Sequence, residues 1–361
     1  MNIRNAIVLA VGLLASAGSA CLLSCSTSSE TPAPPSAASC VGQASATLSC
    51  PVLPGEFPPP DCQLAAEAQG KCAGGGCAID EAKCGATSSC LPLGDNRGRT
   101  VLDYRIRRLN IAAPDTLAAL DFQLKVTIPS IDLRSPECGE RGTDTWAWLM
   151  RLDRDKKTFT TGGAPPSADP FKLGYCFYNS VRNGTKIEPA ASVPVRLDQN
   201  GTVFSSGAST KLTIPLFVGG DPKALVLLPI SDFAVRNVTI SADDNCIGAF
   251  NSKALNSACV EDPATCSKWK TAGAMAGFIS LEDADGVDVS AFQQSLCALL
   301  TKFKGPKCPR DGAGKITLEG DYCGTTRKAC DCRDSFWVAA TFAASAVRIN
   351  DGSGVPECGA P

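Results

Sequence analysis

Apolar and polar side chains alternate from residue 101 onward, and this alternation predicts β-strands. Every second residue between Leu102 and Ile106 is apolar, and the apolar phase then shifts by one residue at Arg107 and Arg108. Such a shift predicts a β-bulge, with the arginines of this strand forming a charged outer face or, alternatively, a binding surface. The same alternation, or an apolar run, predicts further strands over 122–128, 193–197, 212–218, 224–230, 233–240 and 335–350.

The residues between these segments predict antiparallel pairing. Asn200-Gly201 favours a two-residue type I′ hairpin turn, which requires a positive φ at both residues and places Leu197 directly opposite Phe204. Many short strands without intervening helices are typical of an antiparallel β-sandwich or a jelly-roll-like body. One helix is predicted, because Ser290 and Gln293 form a capping box before apolar residues at helical spacing up to Phe303.

The first residues predict export. Arg4 precedes an uncharged apolar stretch from Ala6 to Ala17, as in a secretory signal, although a retained membrane anchor is the alternative. Leu22-Leu23-Ser24-Cys25 resembles a bacterial lipobox, which predicts lipid attachment at Cys25. Cys21 fits this pattern less well, and cleavage without lipidation is not excluded by the sequence. The Ser/Pro-rich segment that follows Cys25 predicts an extended tether.

Cysteine usage predicts a disulfide framework. The chain has 20 cysteines, and apart from Cys21 and Cys25 all of them are expected to form disulfides. Seven lie between residues 40 and 90 and eleven follow, so complete pairing requires at least one bond between these two groups. Cys330 and Cys332 are too close for an easy mutual bond. The expected disulfide cysteines are Cys40, Cys50, Cys62, Cys72, Cys77, Cys84, Cys90, Cys138, Cys176, Cys246, Cys259, Cys266, Cys297, Cys308, Cys323, Cys330, Cys332 and Cys358.

These patterns predict a mainly β protein with five successive parts. It has a disulfide-rich N-terminal knob, a β-sandwich body and a disulfide-linked mixed α/β C-terminal part that packs on the body. The predicted parts are a signal peptide (1–24), a tether after the lipidated cysteine (25–39), the knob (40–98), the body (99–242) and the C-terminal part (243–361).

Composition narrows the possible functions. Lys and Arg total 34 against 36 for Asp and Glu, so a nucleic-acid partner is not expected. The chain has no histidine, which excludes Ser/His/Asp and Cys/His catalysis and His-ligated metals. We assign no catalytic residue, and whether the protein is an enzyme stays open, with a non-enzymatic role favoured.

Two sets of residues are candidates for ligand binding. Asp283, Asp285 and Asp288 offer clustered oxygen ligands for calcium, although their spacing does not match an EF-hand and a solvated acidic turn is the alternative. No other cofactor is expected. Trp146 and Trp148 lie on the same side of one strand and are candidates for a sugar-stacking platform, unless they belong to the core.

Several segments between Leu102 and about Leu300 carry a family resemblance. They are DYRIRRLNI, the WAWL strand at Trp146, TTGGAPPSADP, GYCF at Cys176, DDNCIGAF and GFISLEDADGVDV. In their order they resemble uncharacterised cysteine-rich secreted lipoproteins of the myxobacterial type. This resemblance implies secretion but no known activity.

The lipobox and the tether together predict a lipid-anchored protein of the outer membrane or cell surface that acts as a binding or structural module. Its membrane contact would be the lipid anchor, and its protein or glycan ligand is unknown. The alternative is a secreted carbohydrate-binding or glycoside-hydrolysing domain that uses Asp and Glu.

Overall fold

The computed structural model describes residues 47–72, 77–182, 185–209, 211–217, 225–289 and 292–350. They belong to one compact unit, Ala37–Pro361. Among them, no helix is long and apolar enough to cross a membrane. The predicted signal peptide, Cys21, Cys25, Cys40, Cys358 and the tether lie outside the described residues.

The mainly β, antiparallel fold predicted from the sequence is confirmed. The strands are β1 Val101–Ala113, β2 Arg134–Ser135, β3 Glu140–Arg141, β4 Ala147–Asp153, β5 Thr158–Ala164, β6 Ser180–Arg182, β7 Thr185–Ile187, β8 Ala190–Leu197, β9 Val203–Ser206, β10 Lys211–Phe217, β11 Leu225–Arg236, β12 Val238–Thr239, β13 Cys246–Ile247, β14 Ala249–Phe250, β15 Trp269–Lys270, β16 Gly273–Ser280, β17 Asp288–Val289, β18 Gln294–Ser295, β19 Tyr322–Cys323, β20 Lys328–Ala329 and β21 Ser335–Ala346.

The helices are short. They are α1 Ala65–Ala68, α2 Glu81–Cys84, α3 Asp115–Ala118, α4 Leu120–Phe122, α5 Ile128–Ile131, α6 Leu281–Asp285 and α7 Leu296–Leu300, with a π-helical segment at Gln123–Thr127 and 3₁₀ turns at Pro136–Cys138 and Ser252–Ala254.

One large sheet contains most of the long strands, in the order β10-β11-β16-β21-β1-β4-β5-β8-β9-β12. β11 and β12 follow each other in the chain, separated only by Asn237, yet β11 pairs with β16 whereas β12 pairs with β9. The sheet therefore curls until its two ends meet, and its opposed faces enclose the core as the two layers of a sandwich do. β10 also lies close to β5.

The predicted bulge is present in β1. The pairing of β1 with β21 shifts register between Ile106 and Arg108, so side chains on both sides of the bulge are buried. Leu102, Tyr104 and Ile106 face the enclosed core, whereas Arg105 and Arg107 face the outer side of the sheet. The predicted contact between Leu197 and Phe204 is also confirmed, because the two residues are direct partners in the β8–β9 pair.

The predicted domain division at 242/243 does not separate structural layers. β16 and β21 come from the predicted C-terminal part, yet they lie between β11 and β1 in the centre of the main sheet. The C-terminal part therefore does not pack on a finished body. It supplies two strands of that body, β16 and β21, and β21 pairs with both β1 and β16.

Two predicted elements are wrong. Residues 122–128 are helical instead of extended, because the polar side chains of Gln123 and Thr127 are the buried ones and share a helix face with Ile131. Gln123 Oε1 accepts a hydrogen bond from Ile111 N at 3.1 Å and thereby satisfies a backbone donor near the end of β1. The predicted long helix is only α7, and its N-cap is Ser295, whose Oγ accepts a hydrogen bond from Ala298 N.

Candidate functional site

The outer face of β1 carries buried charges, contrary to the solvent-exposed face that the sequence predicted. Arg105, Arg107 and Arg108 are at most 2% exposed. Segments packed on this face of the sheet cover them. An isolated buried charge is very costly, so each guanidinium requires an acidic partner and further hydrogen bonds. We refer to these arginines and their acidic partners as the buried charge layer.

Arg105 pairs with Asp144, just before β4. The Tyr175 hydroxyl donates to the other carboxylate oxygen of Asp144 at 2.6 Å, and Arg105 also donates to Ile131 O at 2.6 Å. Burial raises the pKa of Asp144, and the charge of Arg105 and the hydrogen bond from Tyr175 oppose this shift. The pair therefore forms at a substantial desolvation cost, and it links β1 to the segment before β4.

Arg107 joins three parts of the chain. Its guanidinium pairs with Glu140 of β3, donates to Leu91 O of the knob at 2.8 Å, and lies over the Trp269 ring with 5.0 Å to the ring centroid. Glu140 is 1% exposed, and its second oxygen, Oε1, has no hydrogen-bond partner among the described residues. The Arg107–Glu140 pair is therefore sensitive to the loss of either partner.

Arg108 and its acidic partner complete the buried charge layer, and we include in it one further buried ion pair, that of Lys268. Arg108 pairs with Glu261, and the Lys268 amino group lies 2.6 Å from a carboxylate oxygen of Asp132. Lys268 also donates to Gly139 O at 2.8 Å. Sequence reasoning missed this layer, because its acids lie outside β1, between residues 132 and 144 and at Glu261. The available signal was three arginines in a strand with apolar neighbours on both sides.

Disulfides hold the knob over the buried charge layer. Four bonds join the knob to later parts of the chain: Cys72–Cys266, Cys77–Cys259, Cys84–Cys138 and Cys90–Cys246. Cys50–Cys62, Cys297–Cys308 and Cys323–Cys332 are local, and Cys176 is also disulfide-bonded. Bonding of Cys332 to Cys323 agrees with the expectation that Cys330 and Cys332 do not bond to each other. The knob is thus linked to the body repeatedly.

The proposed sugar platform is overturned. Trp146 and Trp148 are only 4% and 3% exposed, and their rings stack on each other with centroids 6.3 Å apart. Trp148 Nε1 donates to Thr161 Oγ1 at 2.8 Å, and its ring contacts Phe233 across the core. Both indoles are therefore core residues and offer no stacking face to a sugar.

The three aspartates of the calcium candidate do not converge. Asp283 pairs with Lys211 at 2.8 Å and Asp288 with Lys307 at 2.6 Å. Asp285 is buried and accepts hydrogen bonds from Ser295 Oγ, Cys308 N and Arg310. Burial raises the pKa of Asp285, but these hydrogen bonds outweigh it and hold the pKa below its ordinary value. The aspartates act as separate structural ion pairs in this structure. Cys297 and Cys308, which lie near Asp285, are disulfide-bonded and offer no thiolate.

A cleft of about 590 Å³ lies between the knob and helices α3 and α4. Its wall includes apolar side chains such as Leu64 and Leu120, the charged groups Lys71 and Lys302, and one carboxyl group, Asp115. Glycoside hydrolysis requires a pair of carboxyl groups flanking the scissile bond. This cleft wall therefore does not supply the acid and base of the alternative hypothesis.

One partly buried carboxyl group has an unusual pKa. Burial and repulsion from Asp115 raise the pKa of Asp321 to about 6, although Trp337 N donates to its Oδ1 at 2.8 Å and Arg333 opposes the shift. Asp321 does not line the cleft. A carboxyl group whose pKa is higher in the folded state destabilises the fold when it ionises.

We expect Asp321→Asn to stabilise the protein at pH 8. The stability that protonated Asp321 contributes is fully present below about pH 4 and is lost as the pH rises through about 6. Asparagine does not ionise, so the substitution should raise the free energy of unfolding by about 2 kcal/mol at pH 8 and change it little at pH 4. Urea unfolding at the two pH values measures this difference. A variant that is less stable than the wild type at pH 8 would show that the ionised carboxylate is favourable.

Comparisons with known proteins give no relative of this chain: no family model, curated protein or solved structure matches it. Functional inference therefore depends on the residues and contacts described above.

Proposed function

We propose that the chain is an exported, lipid-anchored protein of the outer membrane or cell surface, in which a disulfide-braced β-body acts as a non-enzymatic binding or structural module. The observation that carries the proposal is the set of four knob-to-body disulfides. Structural disulfides persist in oxidising compartments outside the cytosol. The lipobox-like sequence before Cys25 and the Ser/Pro tether after it support attachment to a membrane.

The described contacts suit a passive, rigid role. The long-range disulfides and the buried charge layer connect the same segments, so the knob and the sheet are cross-linked in two independent ways. Disulfides that close long loops restrict the unfolded chain. Outside the cell proteases are present and no ATP-driven chaperone refolds the chain, so resistance to unfolding is an advantage there. The glycoside-hydrolysing alternative has less support, because the cleft offers a single carboxyl group and both candidate tryptophans are buried.

Substitution of Cys25 tests the anchor. In a bacterial host that processes lipoproteins, we expect the wild type and Cys21→Ser to fractionate with membranes and Cys25→Ser to appear in the soluble fraction. The intact mass of the wild-type protein should include a diacylglyceryl group on an N-terminal Cys25. Cys21→Ser is a matched control, because it removes a thiol four residues away. Release of Cys21→Ser, together with retention of Cys25→Ser, would contradict the assignment.

A further inference from the structure

Two exposed phenylalanines lie on one side of the molecule. Phe292 is 42% exposed and Phe303 is 36% exposed. The Phe292 ring stacks on Phe122 of α4, with ring centroids 6.4 Å apart. Gln294 Nε2 donates to Phe303 O at 2.8 Å and so ties the loop of Phe303 to the segment of Phe292. We refer to Phe122, Phe292 and Phe303, together with Lys302 and Lys304, as the aromatic face.

The two lysines of the aromatic face are available for an anionic partner. Lys302 and Lys304 are exposed and form no ion pair within the described part of the chain. Other exposed lysines of the described residues, such as Lys71, Lys157 and Lys253, also form no ion pair, but Lys302 and Lys304 flank the exposed aromatic side chain of Phe303 in the sequence. Unpaired lysines beside exposed aromatic rings are the combination that binds the interface of an anionic bilayer.

The chain enters the body beside this face. Thr47 is the first described residue, and its Oγ1 donates to Ala118 O of α3 at 2.8 Å. Thr47 and Lys302 line the same cleft. Only the residues from Ser26 to Ala46 separate Thr47 from Cys25. A chain of this length reaches at most roughly 75 Å when fully extended. A lipid on Cys25 would therefore hold the entry point within that distance of the bilayer.

We propose that the aromatic face lies against the anionic lipid surface to which the protein is anchored. Phe292 and Phe303 enter the interface between headgroups and acyl chains, and Lys302 and Lys304 contact lipid phosphates. This inference rests on the proposed lipid anchor, because the anchor brings this side of the molecule to the membrane. The lipid anchor brings the protein close to the membrane, and the aromatic face sets the orientation of the protein on the membrane surface.

Vesicle binding by lipid-free protein tests the face separately from the anchor. The chain from Ser26 to Pro361 includes the whole compact unit, so it can be produced in an oxidising compartment without its lipid. We expect it to bind vesicles of phosphatidylglycerol and phosphatidylcholine more strongly than vesicles of phosphatidylcholine alone. The double variant Phe292→Ser/Phe303→Ser should bind both vesicles about tenfold more weakly.

The charge variant separates electrostatic attraction from insertion. Lys302→Gln/Lys304→Gln should weaken binding to anionic vesicles about tenfold and leave binding to neutral vesicles unchanged. Phe171→Ser is the matched control for the aromatic variant, because Phe171 is 41% exposed in a different loop. Lys172→Gln/Lys186→Gln is the control for charge. Thermal unfolding of every variant shows whether it retains the fold.

Several results would overturn the inference. One is wild-type vesicle binding by a folded Phe292→Ser/Phe303→Ser variant, and another is an equal loss of binding in Phe171→Ser. Dimerisation that depends on Phe292, without vesicle binding, would assign the face to a second copy of the chain. If the native protein carries lipid on Cys25 but the lipid-free protein does not bind anionic vesicles, only the inference is refuted. If the lipid-free protein binds vesicles through the aromatic face but the native protein carries no lipid on Cys25, only the anchor is refuted.

Discussion

Replacing Glu140 by alanine is expected to lower the free energy of unfolding by about 3–5 kcal/mol. Glu140 is the acidic partner of Arg107, and both side chains are at most 2% exposed. Its removal leaves the guanidinium charge buried without a carboxylate, although the hydrogen bond to Leu91 O and the contact with Trp269 remain. Urea unfolding with all disulfides intact measures the loss.

Glu137 provides the matched control for this experiment. It lies three residues before Glu140 and pairs with Lys83, but the two side chains are 48% and 61% exposed. Exposed ion pairs contribute about 0–1 kcal/mol, so Glu137→Ala should have little effect. A double replacement, Arg107→Met with Glu140→Leu, should recover most of the stability, because no unpaired charge remains. Equal losses for Glu140→Ala and Glu137→Ala would contradict the structural role of the buried pair.

Removing the four knob-to-body disulfides together is expected to have the largest effect. Each bond contributes about 3 kcal/mol in the loop-entropy description, since neighbouring bonds shorten the loop that any one bond closes. Their combined loss of about 12 kcal/mol is comparable with the whole stability of a typical domain. The eight cysteines of these bonds would be replaced by alanine.

Limited trypsin digestion reports whether the knob has separated from the sheet. Arg105, Arg107 and Arg108 are buried in the intact protein, so trypsin should not cut after them. We expect new cuts at these arginines in the four-bond variant. The control lacks the local bonds Cys50–Cys62, Cys297–Cys308 and Cys323–Cys332, whose sequence separations are 12, 11 and 9. Resistance of the four-bond variant at these arginines would show that the disulfides are not needed to keep the knob docked.

The alternation of apolar and polar residues was sufficient to predict strands that pair with neighbouring strands of the sheet. The bulge in β1 was visible as a phase shift, and the β8–β9 register followed from alternation on both sides of Asn200-Gly201. The turn itself differs from the prediction, because Gly201 has a positive φ of 69° and Asn200 does not. Asp198 Oδ1 instead accepts hydrogen bonds from the Thr202 and Val203 backbones.

Tertiary contacts decided the features that the sequence did not predict. The alternation over 122–128 suggested a strand, but this segment is helical, and Gln123 forms hydrogen bonds with the Ile111 backbone of β1 and with Ala118 O of α3. The burial of Arg107 depends on Glu140 and on the knob carbonyl of Leu91, which are distant in sequence. Likewise, nothing local distinguishes a pair of tryptophans in the core from a pair on a surface.

Disulfide mapping of the native protein tests the central claim, that the knob and the body are one cross-linked unit, most directly. Proteolytic peptides are separated without reduction and identified by mass spectrometry. We predict linked peptides that contain Cys72–Cys266, Cys77–Cys259, Cys84–Cys138 and Cys90–Cys246. Pairing of Cys72, Cys77, Cys84 and Cys90 only with other cysteines of the knob would contradict the account and indicate two independent modules.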